Sequence, residues 1–225
     1  MTRTMRETFA LGVTLALTLG LTQSTSIAAP SPVASAADGP EATLRKYNGK
    51  LDALLKGPSD KKVDKESVKQ LANELFDYAE LAKRSMASHW DPLTQPQKDE
   101  FVATLAQYIE KNYVKQLRTS VDYTVSYSHE SVTDDEATVA SVVKVRPKGK
   151  PPTEIENVYK LHKVGGHWKV YDIVTDEVDM VRKNKEQFEK RFAMGGYDGV
   201  VKRLREKIAE PDDGAKTTDS GGGKK

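Results

Sequence analysis

The chain has 225 residues, 37% of them hydrophobic and 30% charged, a globular balance that excludes collagen, a long coiled coil and a disulfide-stapled miniprotein. Thirty-five basic residues against thirty-three acidic leave a net charge of +2, too even for a general electrostatic grip, so no nucleic-acid partner is expected. The absence of cysteine removes thiol catalysis, Cys-ligated zinc, iron–sulfur clusters and lipoprotein anchoring, and it is compatible with an oxidising compartment.

Arg3 and Arg6 precede an apolar run from Phe9 to Leu21, followed by a Ser/Thr/Ala-rich stretch. That order is the signature of a secretory signal peptide, and the run is shorter than the ~20 residues needed to span a bilayer. Ala34-Ser35-Ala36 places small residues at the cleavage offsets, with Ser26-Ile27-Ala28 as an earlier alternative. Residues 1–36 are therefore expected to be removed, 37–210 to form one domain with no integral membrane segment, and 211–225 to be a disordered tail. That tail lacks any large apolar residue with which to offset its ordering entropy.

Helices come first. Val68, Leu71, Leu75 and Phe76 recur at helical spacing within Asp64–Tyr78, and Leu81–Trp90 continues the pattern. Asp91-Pro92 breaks it, and Thr94-x-x-Gln97 is a capping box for a helix carrying Phe101, Leu105, Tyr108, Ile109 and Tyr113 on one face. Beyond Leu117 the period shortens to two: Val121, Tyr123, Val125 and Tyr127 alternate with polar residues. Strands over Glu136–Arg146, Thr153–Lys163 and His167–Thr175 follow, joined by short turns, so the four should form an antiparallel meander. A helix from about Asp176 ends at Gly195-Gly196, and a short one runs over Gly199–Ala209. The fold class is α+β: a curved four-stranded antiparallel sheet covered by helices.

Chemistry-bearing motifs are scarce. No nucleophile elbow, zincin, Walker or dinucleotide fingerprint occurs. A hairpin turning at Gly165-Gly166 sets Val164 opposite His167 and His162 opposite Lys169, so the two nearby histidines do not form a cross-strand metal pair. Asp172, inside an apolar strand, is either a general base with a raised pKa or a structural acid bonding near the strand end; the second reading is preferred, because no partner acid or oxyanion donor can be placed beside it. Asp77 and Asp91 read as helix-boundary residues. Aromatic residues on facing stripes, Tyr108, Tyr159, Tyr171, Phe101 and Phe188 among them, are either ordinary core or the lining of a cavity between sheet and helices.

Three ordered stretches resemble the MlaC, or toluene-tolerance, family of periplasmic phospholipid-binding proteins. They are Phe76-Asp77-Tyr78-Ala79-Glu80-Leu81-Ala82-Lys83-Arg84 with His89-Trp90, Leu93-Thr94, Phe101 and Tyr113; Tyr159-Lys160-Leu161-His162-Lys163 with Trp168 to Val174; and Val181-Arg182, Lys185 and Phe188 through Leu204-Arg205-Glu206-Lys207. Val178-Asp179-Met180 and the C-terminal tail depart from the family pattern. The resemblance implies an NTF2-like fold around an apolar cavity for acyl chains, with no catalytic residue and no cofactor beyond phospholipid cargo. It also implies partners at both membranes: an inner-membrane Mla-type ABC transporter complex and an outer-membrane lipoprotein complex.

The pocket expected from these readings draws on Phe76, Leu81, Phe101, Leu105, Tyr108 and Ile109 of the helices and Val125, Val143, Tyr159, Leu161 and Val170 of the strands, closed by Val181 and Phe188. Strand parity leaves open which face is inward. Lys83, Arg84, Lys183 and Lys185 either meet anionic headgroups or acidic partners or are simply solvated. A different lipid, such as a hopanoid, and a small NTF2-like enzyme using Asp172 as base are the alternatives.

Overall fold

The computed structural model describes residues 39–55, 64–117, 122–146, 149 and 151–211; the side chains of 65 and 113–117 fall outside that description. The expected signal peptide and all but the first residue of the expected tail thus lie outside the described residues, as does Val121. Among the described residues no helix is long and apolar enough to cross a membrane.

Helix α1 spans Pro40–Leu55, α2 Lys65–Leu75, α3 Tyr78–Met86 and α4 Gln95–Leu117; strands β1 Tyr123–Thr133, β2 Glu136–Val145, β3 Thr153–Val164, β4 His167–Thr175 and β5 Val178–Asp179 follow, and α5 runs over Met180–Ala209. The strands are neighbours in chain order and every pair is antiparallel. This is an α+β, NTF2-like arrangement. The expected hairpin register is present, with Val164 opposite His167 and His162 opposite Lys169.

Three boundaries differ from the sequence expectation, each for a local reason. The sheet has five strands instead of four. Asp176 and Glu177 both take positive φ (45° and 66°), which reverses the chain tightly enough for Thr175 to pair with Val178. Neither residue is glycine, so the reversal carries no sequence signal and the helix starts at Met180, not Asp176. The helix expected over Asp64–Tyr78 is interrupted at Phe76–Asp77. Phe76 bridges Val170, the Asp77 N–H donates to the Val170 carbonyl (2.8 Å), and the Asp77 carboxylate caps α3 by accepting from the Glu80 N–H (2.9 Å). Finally, β1 continues to Thr133 past an irregularity between Tyr127 and His129, where an extra residue ends the clean alternation.

α1 was not anticipated. Leu44, Tyr47 and Leu51 lie at helical spacing and all are buried. The capping box before α4 forms as expected: the Thr94 N–H donates to Gln97 Oε1 (3.0 Å) and the Gln97 N–H to Thr94 Oγ1 (3.4 Å). In α5 Gly195 and Gly196 leave helical geometry, so the element is two helices meeting at a kink, the first ending at the glycine pair as expected.

The core has two parts. One packs α1 and α2 on the sheet through Leu44, Leu51, Val68 and Leu71 against Val139, Leu161, Trp168 and Val170. The other lies among α3, α4 and α5, around Leu81, Met86, Phe101, Leu105, Phe188 and Leu204.

Candidate functional site

Pairing register puts Val125, Val143 and Ile155 in one row across β1, β2 and β3, and Tyr127, Ser141 and Asn157 in the next. Continuing along the same face come Val139 with Tyr159 and Ala137 with Leu161, the latter opposite Val170. All five strand residues of the expected pocket therefore share one face, and α1 and α2 pack on it. The face changes character along its length. Val139, Leu161 and Val170 are fully buried (0% exposed), whereas Val125, Val143, Ile155, Tyr127 and Tyr159 are only half-buried. One end of the wall is sealed by helices, and the other presents apolar side chains that no packing covers completely.

The wall is uncharged. Burial pushes the Tyr123, Tyr127 and Tyr159 phenols well above their ordinary value, with the Asp52 carboxylate adding to the effect at Tyr123. α1 lies along β1: Asn48 donates to the Tyr127 hydroxyl and the Arg45 guanidinium stacks over the Tyr127 ring, 4.6 Å from its centroid. Such a surface can hold hydrocarbon.

The helical residues of the expected pocket divide. Phe76 packs at the margin of the sheet core and stacks on Tyr78, with centroids 5.7 Å apart. Leu81, Phe101, Leu105 and Phe188 are buried in the other core, where Phe101 meets Phe188 edge-on at 5.4 Å, and Tyr108, Ile109 and Val181 lie at its margin. The helices that face the wall are instead α1 and α2, and the half-buried Leu54 and Leu55 of α1 stand outside the expected pocket set. Their spacing from Leu51 was the available signal.

Asp172 is a structural acid. It is 1% exposed, pairs with Lys160 Nζ at 2.8 Å and accepts the Val181 N–H at 3.1 Å, which ties β4 to the start of α5. Lys160 also reaches Asp179 at 2.6 Å, and Asp179 caps α5 by accepting the Arg182 N–H at 2.7 Å. Burial disfavours the Lys160 ammonium, but the two carboxylates outweigh it and hold its pKa above the usual lysine value. The register shift beside Leu161 sets Asp172 opposite Lys160, which alternates with the wall residues Tyr159 and Leu161 on β3, so Asp172 does not face the wall.

His162 Nε2 lies 3.0 Å from Asp77 Oδ2, with its ring edge on Tyr171. Arg84 stacks on Tyr171 at 3.9 Å and bonds Glu136 (2.7 Å), which also accepts from the Tyr171 hydroxyl (2.8 Å). These groups dock α3 onto the sheet. Of the four basic residues considered for headgroups or partners, Arg84 is thus in use structurally, while Lys83 is exposed on α3 and Lys183 and Lys185 are exposed on α5. His89 stacks on Phe192 at 3.9 Å, and His129 and His167 are exposed strand residues. No metal-binding group of three or more His, Asp or Glu residues occurs among the described residues.

Comparison with known proteins agrees with this geometry. A solved phospholipid-binding protein from Ralstonia solanacearum, in complex with a phospholipid, is 24% identical, with a TM-score of 0.65 over 75% of this chain and 96% of that one, and it shares the fold. A Mycobacterium tuberculosis protein of unknown function is 15% identical over 67% of this chain and 95% of its own, but a TM-score of 0.25 is too low to carry an argument. The sequence model described as "MlaC protein" matches residues 48–206, from the middle of α1 to the last turns of α5. With its ordered motifs and nearly the whole fold inside that match, the chain belongs to the MlaC family.

Proposed function

We propose that the chain is a periplasmic phospholipid carrier, the soluble shuttle between an inner-membrane Mla-type ABC transporter complex and an outer-membrane lipoprotein complex, serving outer-membrane lipid asymmetry. In this reading residues 1–36 direct export and are removed, and 211–225 form a tail outside the lipid-binding domain. The observation that carries it is the uncharged, half-buried row of Val125, Val143 and Ile155 on the helix-facing side of the sheet. Family membership and the phospholipid held by the Ralstonia solanacearum protein support the choice of cargo.

The physical requirement is large. Each methylene in water costs about 0.8 kcal/mol, so two acyl chains cost on the order of 20 kcal/mol to move unshielded through an aqueous space. An apolar wall between layers meets that need without a catalytic group. Loading and release then require the carrier to populate states that differ in lipid affinity, with each membrane partner favouring one of them.

The test is lipid content after purification from the native compartment. Mass spectrometry of the solvent-denatured protein should give close to one phospholipid per chain, and a different lipid class such as a hopanoid would be identified in the same spectrum. Val143→Trp, placed on the half-buried row, should abolish loading while lowering stability by no more than about 3 kcal/mol. Leu161→Trp, where the parent residue is 0% exposed, should instead unfold the domain. A lipid-free parent protein, or Val143→Trp with full lipid content, overturns the reading.

A further inference from the structure

The break in α5 creates a second surface that lipid carriage on the sheet does not use. Gly195 and Gly196 divide the helix into two arms, and these arms, together with Tyr108 of α4, enclose a groove of about 370 Å³. Its floor is apolar: Tyr108, Phe188, Val200 and Leu204. Its rim is cationic: Lys190, Arg191, Arg203 and Lys207, with no acidic side chain among the lining residues. Among the described residues neither Lys190 nor Arg191 pairs with an acid, while Arg203 and Lys207 each have one exposed partner on their own side, Glu206 at 3.2 Å and Glu210 at 2.9 Å. The charge is concentrated here, because Met180–Ala209 holds nine basic residues against four acidic, a net +5 in a chain whose total is +2.

Two further groups face this groove without an evident structural task. Asn184 is 9% exposed and its amide makes no hydrogen bond among the described residues. Met194, at the break, is 78% exposed, the most exposed large apolar side chain among the described residues. Four gathered cations repel one another, and the exposed Met194 beside the half-buried Tyr108 costs hydration free energy. The complement to all of them is a molecule that joins an anion to an apolar body.

We propose that this groove is a membrane-docking surface whose occupant is the anionic phospholipid of a bilayer. The rim cations meet headgroup phosphates, the Asn184 amide meets the polar glycerol-ester level, and Met194 enters the interface. An acidic protein segment would satisfy the rim equally well. Met194 favours the bilayer, because most of its surface stands clear of the floor and would stay in water beside a peptide lying in the groove. The proposal goes beyond the carrier reading and does not depend on the sheet wall.

The experiment is sedimentation of the full mature chain with vesicles of phosphatidylglycerol and phosphatidylcholine, and with phosphatidylcholine alone, across ionic strength. Binding is expected to the anionic vesicles only and to fall steeply with salt. Each basic residue contributes about fivefold, so Lys190→Gln with Arg191→Gln should weaken binding about 25-fold. Met194→Ser should weaken it about three- to tenfold. All three positions are exposed, so thermal denaturation should match the parent; should the double variant misfold, Met194→Ser decides alone. Val143→Trp, which blocks the sheet wall, should bind vesicles as the parent does, which separates docking from loading. Equal binding to both vesicle types, no binding at low salt, insensitivity to these substitutions, loss of binding in Val143→Trp, or a groove that takes an acidic peptide but not vesicles overturns the proposal.

Discussion

Lys160 lies between two carboxylates at 2.8 and 2.6 Å, one of them nearly sealed from water. Removing one charge of such a cluster leaves the others undercompensated, which costs far more than the pair contributes over an apolar replacement. Asp172→Asn keeps an acceptor for the Val181 N–H but removes the charge facing Lys160. It should lower stability by about 3 kcal/mol, or roughly 6–12 °C in melting temperature, with lipid content per folded chain unchanged. An enzyme using this residue as base would instead lose turnover at near-normal stability. Ala87 is the opposite case. It follows α3 with φ 48° and ψ −122°, a conformation open mainly to glycine. Ala87→Gly should therefore raise stability by about 1 kcal/mol, readable as a shift in the denaturant midpoint without a change in m. The structural role of Asp172 could be read from its position in an apolar strand. Its partner could not, because the register shift beside Leu161 decides that Lys160 stands opposite it.

At the level of elements, the caps and turns with strong local chemistry formed where the sequence places them. Thr94 and Gln97 close the capping box of α4, and Gly165-Gly166 turns the β3–β4 hairpin. Where an element departs from its local pattern, the deciding contact is distant in sequence. Phe76 and Asp77 continue an amphipathic pattern, yet the chain leaves the helix there because pairing with Val170 and capping α3 satisfy its backbone better. The glycine pair stops one helix as its chemistry predicts, and a second arm follows at once because Tyr197, Val200, Val201 and Leu204 bury against α3 and α4. Gly196 has φ 60° and ψ −158°, a region essentially restricted to glycine, although a Cβ there would meet no atom within 4 Å. Gly196→Ala should thus cost about 1–3 kcal/mol through backbone strain alone, whereas Gly195→Ala, at negative φ, should cost less than about 1 kcal/mol; paired thermal melts would show the contrast.

Across the whole molecule, two carboxylates link separate layers and set the response to acid. Asp179 holds β5, β3 and α5 together; burial opposes its ionised form, but the Arg182 N–H and Lys160 more than compensate and its pKa is lowered. Glu136 joins the sheet to α3; burial is again outweighed, here by the Tyr171 hydroxyl and Arg84, and its pKa is lowered too. A depressed folded pKa stabilises the fold above the unfolded value, near 4 for these groups, and the contribution is lost as pH falls through the folded value. The melting temperature should therefore be nearly flat from pH 8 to 5 and fall below about pH 4, and Glu136→Gln should lower the plateau and shallow that acid limb. Lys160 acts in the other direction. Its raised pKa stabilises the fold below about 10.4, and that contribution disappears as alkaline pH passes the folded value.

Periodicity and turn chemistry, which act over a few residues, were enough to establish an α+β class and the four long strands in order, while the ordered motifs pointed to the family. Those signals state that a side chain is apolar and on which side of its element it lies. They do not state what packs against it. Only the tertiary arrangement assigned Leu81, Phe101, Leu105 and Phe188 to a helical core and left Val125, Val143 and Ile155 partly uncovered on the sheet, because burial depends on how distant elements share space. The same holds for the groove in α5: its four cations are scattered over eighteen residues and become one rim only when the chain bends at Gly195-Gly196.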